Sequence, residues 1–219
     1  MIDKDDIYII KNILEITNKN IDFDLLYRVL TATKDFEDLR DDILDSFGKN
    51  QIQAKSRVLQ IIEENKFLNT DSEVIVFGSW YGSVLIPKLC NKVKRLSCID
   101  LDERALKIAK NRLFPNINNV DYIVSDVFEK DRERYWNADL FINTSCEHMP
   151  PMNTWPYWPE KTNFIFTSNN MHIIEGHINC VDSMDEFKSQ LPVNATVLAE
   201  DEIEDERGVR FILAGTINS

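Results

Sequence analysis

The sequence predicts an α/β fold, a doubly wound and mostly parallel sheet of seven strands with a helical extension at the N-terminus. Three observations lead there. Apolar residues recur at helical spacing through about the first 70 residues, and after Asp71 short β-rich runs alternate with amphipathic stretches. The last two runs lie too close together for a crossover helix, so they pair antiparallel and close the sheet.

The elements follow in order. Ile7, Ile10, Ile13, Leu14 and Ile16 share one helical face, as do Leu25, Leu26, Val29 and Leu30, and then Phe36, Leu39, Ile43 and Leu44. Gly48 stops the third of these helices. A fourth runs from about Asn50 to Asn65 and buries Ile52, Val58, Leu59, Ile61 and Ile62. The strand runs are Val74–Phe77, Leu96–Ile99, Val120–Val124, Leu140–Ile142, Phe164–Thr167, Ala195–Ala199 and Arg210–Gly215. Helices are expected over Ser83–Asn91 and Asp102–Leu113, and the acidic stretch Glu200–Gly208 reads as a solvated hairpin turn. The N-terminal helices are expected to cover one edge of the sheet.

Composition narrows the function. The chain has 219 residues, 43% hydrophobic and 28% charged, which fits one large soluble domain and excludes a disordered or collagen-like chain. Lys+Arg 25 against Asp+Glu 37 gives a formal charge of −12, which opposes duplex nucleic acid and anionic lipid. Cys90, Cys98, Cys146 and Cys180 are scattered and form no CxxC pair, so neither a zinc knuckle nor a disulfide scaffold is indicated. The acidic start is unlike a secretory signal, and no apolar run is long enough to span a bilayer, so a reducing, cytoplasmic setting without membrane contact is expected.

Chemistry concentrates at strand ends. The run Val74-Ile-Val-Phe-Gly78-Ser-Trp-Tyr-Gly82-Ser is a buried strand followed by a glycine turn into a helix, where backbone N–H groups can approach a ligand. The second strand ends at Asp100, about twenty residues on, where a carboxylate can accept both hydroxyls of a ribose. Asp102 beside it reads as a helix cap. The third strand leads to Asp126. The fourth ends in Asn143-Thr-Ser-Cys-Glu147-His148-Met-Pro-Pro, in which Asn143 can position an acceptor and Glu147 or His148 can take a proton or merely cap the turn. Trp155-Pro-Tyr-Trp158 either walls a pocket or braces the sheet. Asn169 and Asn170 lie just beyond the fifth strand. His172 and His177 flank Glu175, but Gly176 argues against a rigid metal-binding helix, and no metal is expected.

Over about residues 50 to 219 these motifs resemble the class I S-adenosylmethionine-dependent methyltransferases. The runs Phe77 to Gly82 and Asn143 to His148 are also similar to small methyltransferase-like proteins of phage genomes, which would put the protein in the host cytoplasm. The resemblance implies a helical cap over residues 1–70 and a Rossmann-like domain over 71–219. It implies S-adenosylmethionine as cofactor, held by Gly78, Ser79, Trp80, Tyr81, Gly82, Asp100, Leu101, Asp126, Val127 and Asn143, with the glycine loop on the methionine portion, Asp100 on the ribose and Asp126 on the adenine. Asn143, Glu147 and His148 are the implied catalytic group. Two positions depart from the family: Val76 stands where an acid is usual, and Trp80 where a glycine is usual. Trp80 either lids the cofactor or packs on the N-terminal helices.

The expected reaction is methyl transfer to an amine, amide or hydroxyl of a small molecule or polypeptide. The alternatives are aminopropyl transfer to a polyamine, and a non-catalytic or structural protein that keeps the fold. Apolar faces on the short N-terminal helices allow a homodimer.

Overall fold

Helices form where the apolar spacing asks for them. The computed structural model describes residues 9–10, 12–14, 16, 22–128, 138–155 and 158–219, and residues 9, 10, 12–14 and 16 are helical. Ile7 of the first expected helical face, and Pro156 and Tyr157 of the aromatic run, lie outside the described residues. Helix α1 (Phe23–Asp35) begins at Asp22, whose Oδ1 accepts the Leu25 N–H at 2.8 Å. A 3₁₀ turn leads into α2 (Arg40–Ser46), Phe47 ends it, and Gly48 is the N-cap of α3 (Lys49–Glu64).

The alternating region then delivers β1 (Glu73–Phe77), α4 (Leu85–Leu89), β2 (Arg95–Asp100) and α5 (Glu103–Ile108). Asp102 caps α5 by accepting the N–H groups of Arg104 and Ala105, and a π-helical turn, Ala109–Leu113, continues it. β3 (Val120–Val124), β4 (Leu140–Asn143), β5 (Thr162–Asn169), α6 (Met184–Ser189), β6 (Ala195–Asp205) and β7 (Gly208–Ile217) follow.

The seven strands lie in the order β3-β2-β1-β4-β5-β7-β6. β1 to β5 are parallel, and β7 runs antiparallel to both β5 and β6. The doubly wound seven-stranded sheet is therefore present as expected, including its reversed last pair. Both faces are covered. Val74, Val76, Leu96, Cys98, Leu140 and Ile142 point into one core, which is continuous with buried residues of α1, α2 and α3. Ile75, Phe77, Ile99, Phe141, Phe164 and Phe166 point into the other, which Trp155 and Trp158 complete. This period-2 division on strands buried on both sides is why they read as nearly unbroken apolar runs.

Two expectations change. The N-terminal helices pack on one face of the sheet and not only along its edge: their buried residues join the core on that face, and α3 lies against β6 and β7. The acidic stretch is mostly β-strand: β6 continues to Asp205 and the turn shrinks to Glu206 and Arg207. An edge strand with one side in water accommodates carboxylates at alternate positions, so the charge did not forbid strand. All four cysteines are free thiols. Among the described residues, no helix is long and apolar enough to cross a membrane.

Candidate functional site

In the parallel part of the sheet the chain winds outward from β1 through β2 to β3, then returns to lay β4 on the other side of β1. The strand ends on either side of that reversal diverge and leave a crevice. A cavity of about 720 Å³ opens there, lined by residues from the ends of β1, β2, β3 and β4, from α2 and α3, from the loops before and after β5, and from the β6–β7 turn and β7. Its size suits a nucleoside-sized ligand with room beside it.

The β1 turn is shaped by three left-handed residues, Gly78 at φ +57°, Trp80 at +49° and Gly82 at +62°. A Cβ on Gly78 would sit 2.8 Å from the Ser145 Cβ and 2.9 Å from the Met149 Cε, so glycine lets the β4 loop close onto the β1 loop. On Gly82 it would meet the Ile86 Cδ1 at 2.3 Å, so this glycine serves the packing of α4. Trp80 adopts a backbone conformation that costs a bulky residue about 1–2 kcal/mol. The Asp100 carboxylate holds it there, its Oδ2 accepting the Trp80 N–H at 2.6 Å while Oδ1 accepts the Asp102 N–H at 2.9 Å. Burial raises the Asp100 carboxyl above the usual carboxylate range, and these two N–H groups oppose the rise. The Trp80 ring tilts against Tyr81 at 5.0 Å, packs on the core beneath and also lines the cavity.

Six of the residues expected to bind a cofactor line this cavity: Gly78, Trp80, Asp100, Leu101, Asp126 and Val127. Asp126 uses Oδ1 to accept the Phe128 N–H at 2.8 Å. Ser79, Tyr81, Gly82 and Asn143 are not among the lining residues. Ser79 and Tyr81 are buried, Tyr81 completely, because the turn directs them under the loop. Asn143 is fully buried: its Nδ2 points to the sulfurs of Met149 (3.3 Å) and Met152 (3.5 Å), and its Oδ1 accepts the Ser145 N–H at 2.9 Å. It braces the β4 loop from within the fold and does not line the cavity, unlike the direct positioning role expected of it.

Glu147 and His148 do face the cavity. Glu147 is 4% exposed, with Oε1 at 3.6 Å from the Arg210 Nη1 and Oε2 without a hydrogen-bond partner. Burial pushes its carboxyl up, although Arg210, the next largest influence, pulls the other way. Lys55 of α3 reaches the same region, its Nζ donating to Gln51 Oε1 at 2.8 Å. Burial, followed by the nearby Arg210 charge, lowers its ammonium to about 8. The His148 Nδ1 lies 3.0 Å from the Gly176 carbonyl, and its ring meets the His177 ring edge-on at 4.6 Å. Burial, then the neighbouring His148, takes His177 down to about 4.

Other candidates disperse. His172 turns outward to Asp182 at 2.8 Å, so it does not pair with His177. Trp155 and Trp158 pack against Phe77 and Phe141 in the core and do not line this cavity. Asn169 and Asn170 accept the N–H groups of Met171 and Val209 and fix local turns. Lys55, Arg207 and Arg210 are lining residues that the sequence motifs did not single out.

Neither a protein-family model nor a curated protein matches the chain. Among solved structures it is similar to the N-methyltransferase NodS from Bradyrhizobium japonicum WM9, at 14% identity and TM-score 0.60 over 78% of this chain and 99% of that one. It is also similar to an S-adenosylmethionine-dependent methyltransferase from Clostridium acetobutylicum ATCC 824, at 12% identity and TM-score 0.58 over 82% and 98% of the two chains. A third is M. capricolum TrmK in complex with S-adenosyl-homocysteine, at 18% identity and TM-score 0.55 over 74% and 68%. The fold is that of the class I methyltransferases.

Proposed function

We propose that this chain is an S-adenosylmethionine-dependent methyltransferase acting on an amine, amide or hydroxyl of a small molecule or polypeptide. One observation carries the proposal: Gly78, Trp80, Asp100, Leu101, Asp126 and Val127 converge from three successive strand ends on one cavity at the reversal of the sheet. The residues fit the cofactor. Gly78 leaves the loop open, and each Asp100 oxygen has a lone pair beyond the one its N–H partner uses, available to ribose hydroxyls. Trp80 presents an aromatic face of the kind that attracts a sulfonium.

When bound, the cofactor supplies an electrophilic methyl group for direct displacement. The chain must then hold the acceptor, exclude water and take a proton. Lys55 suits the last task, because a cavity-lining amine with its ammonium near 8 exchanges a proton close to neutral pH. Arg210 and Glu147 set its surroundings. Carboxylates in the lining (Asp42, Asp45, Asp100, Asp126, Glu147, Glu175) outnumber the cations (Lys55, Arg207, Arg210), which favours a neutral or amine acceptor over a polyanion. A polyamine gains from the same acidity, but Lys55 and Arg210 would meet it as like charges, so methyl transfer is preferred to aminopropyl transfer.

The test is calorimetric titration of the purified protein with S-adenosylhomocysteine, followed by incubation with methyl-labelled cofactor and fractionated cell extract. Micromolar binding and label transfer to one fraction support the reading. Lack of binding by the folded protein overturns it, and binding without transfer to any fraction identifies a non-catalytic cofactor-binding protein.

A further inference from the structure

We propose that Glu147, His148 and His177 form a binding site for one divalent transition-metal ion. One potential ligand atom from each lies within 4.8 Å of the other two. Tetrahedral coordination at about 2.1 Å needs ligand atoms about 3.4 Å apart, so small side-chain rotations close the set. Two imidazoles and a carboxylate suit zinc, iron, cobalt or nickel better than magnesium or calcium.

The donor atoms, more than the surrounding charge, suit a metal ion, since Arg210 stands close to Glu147. The Glu147 side chain is buried, its Oε1 lies 3.6 Å from the Arg210 Nη1, and Oε2 has no hydrogen-bond partner, an arrangement that leaves one carboxyl oxygen to be satisfied. Because the Gly176 carbonyl can only accept, the His148 Nδ1 donates to it, which leaves Nε2 as the nitrogen that would bind a metal. The His177 Nδ1 lies 3.5 Å from the Cys180 sulfur, whose thiol is directed at the Asn169 Oδ1, 3.6 Å away. The Met171 carbonyl accepts from the His177 ring as well, and these contacts orient it. The backbone locks the two segments together: the Glu147 carbonyl accepts the N–H groups of Ile178 (2.9 Å) and Asn179 (3.0 Å), directly after His177. Since all three residues line the cavity, an ion held by them would keep open coordination positions towards it, the three-ligand pattern of a reactive rather than a structural site.

The experiment uses the full chain, stripped with chelator and titrated with zinc by calorimetry, then with cobalt while visible absorption is followed. One equivalent should bind, with cobalt bands of a nitrogen- and oxygen-ligated ion. His148→Gln and His177→Gln should each weaken binding by about 100-fold or more, while His172→Gln, whose ring lies on Asp182, should leave it unchanged. Circular dichroism melts confirm that the variants fold, and should either fail, His148→Ala and His177→Ala replace them. Absence of stoichiometric uptake, or equal uptake by wild type and both histidine variants, overturns the site. Binding of S-adenosylhomocysteine by the metal-free protein is scored separately, so loss of the metal proposal and loss of the methyltransferase proposal are distinguishable.

Discussion

Replacing Lys55 with Met is expected to stabilise the protein at neutral pH and to lose that advantage in alkaline solution. Lys55 is 8% exposed, and burial with the Arg210 charge lowers its ammonium from 10.5 to about 8. Between those values the unfolded chain still holds a proton that the folded chain has released, so wild-type stability rises with pH across the window, by about 1.4 kcal/mol per unit. The whole window is worth roughly 3 kcal/mol, and below about pH 8 the wild type carries the full cost of a charged, buried amine. Met keeps most of the stem's packing but loses the hydrogen bond to Gln51, worth about 1 kcal/mol. The variant should therefore be more stable by about 2 kcal/mol near pH 7 and no more stable than wild type near pH 10.5. Urea unfolding followed by circular dichroism at several pH values measures both limits. A gap that does not change with pH, or a variant that is weaker near pH 7, would mean that Glu147 already offsets the burial of the ammonium. Methyl transfer by the same variant should fall by about 10²-fold if Lys55 takes the acceptor's proton.

Gly82→Ala should destabilise the fold by about 1–3 kcal/mol in thermal melts, because its φ is positive and the new Cβ meets Ile86, yet the folded fraction should bind S-adenosylhomocysteine normally. Asp100→Ala should weaken that binding by about 2–4 kcal/mol in calorimetry and also lower stability, since the Trp80 and Asp102 N–H groups lose their acceptor. Asn143→Ala should cost about 1–3 kcal/mol of stability by stranding the Ser145 N–H, with any loss of turnover accompanied by a lower melting temperature; full loss of turnover in a protein of unchanged stability would return Asn143 to the reacting centre.

Much of the fold was legible because buried parallel strands write themselves as apolar runs between helical stretches, and each of the seven runs became a strand. Their ends were less legible. β5 extends to Asn169 and β6 to Asp205, since strand pairing continues past the apolar stretch wherever the partner strand offers backbone groups. The strand-end acids Asp100 and Asp126 were readable by position alone. Asn143 was misplaced because the final residue of a strand can point up into a crevice or down beneath the loop, and alternation fixes that only once the register with β1 is known. Lys55 left a trace: it lies on the same stripe of α3 as Ile52, Val58 and Ile62, where a charge is out of keeping. Arg210 left a similar one among the apolar residues of β7. The meeting of His177 with Glu147 and His148 left none, since it depends on how the loop after β5 folds back over the β4 turn.

The acidic outer strand bears on how the molecule meets its own copies. β6 ends the sheet, and Glu200, Glu202 and Glu204 stand exposed on one side of it. A second molecule adding its own β6 alongside would bring two rows of carboxylates into register, and like charges set opposite each other across a strand pair repel. Neighbouring cations only partly relieve this, Lys188 meeting Glu200 and Arg57 meeting Asp201. The sheet is thus insulated against edge-to-edge growth on the β6 side, and what the charge on this strand secures is a molecule that stays separate from its own copies.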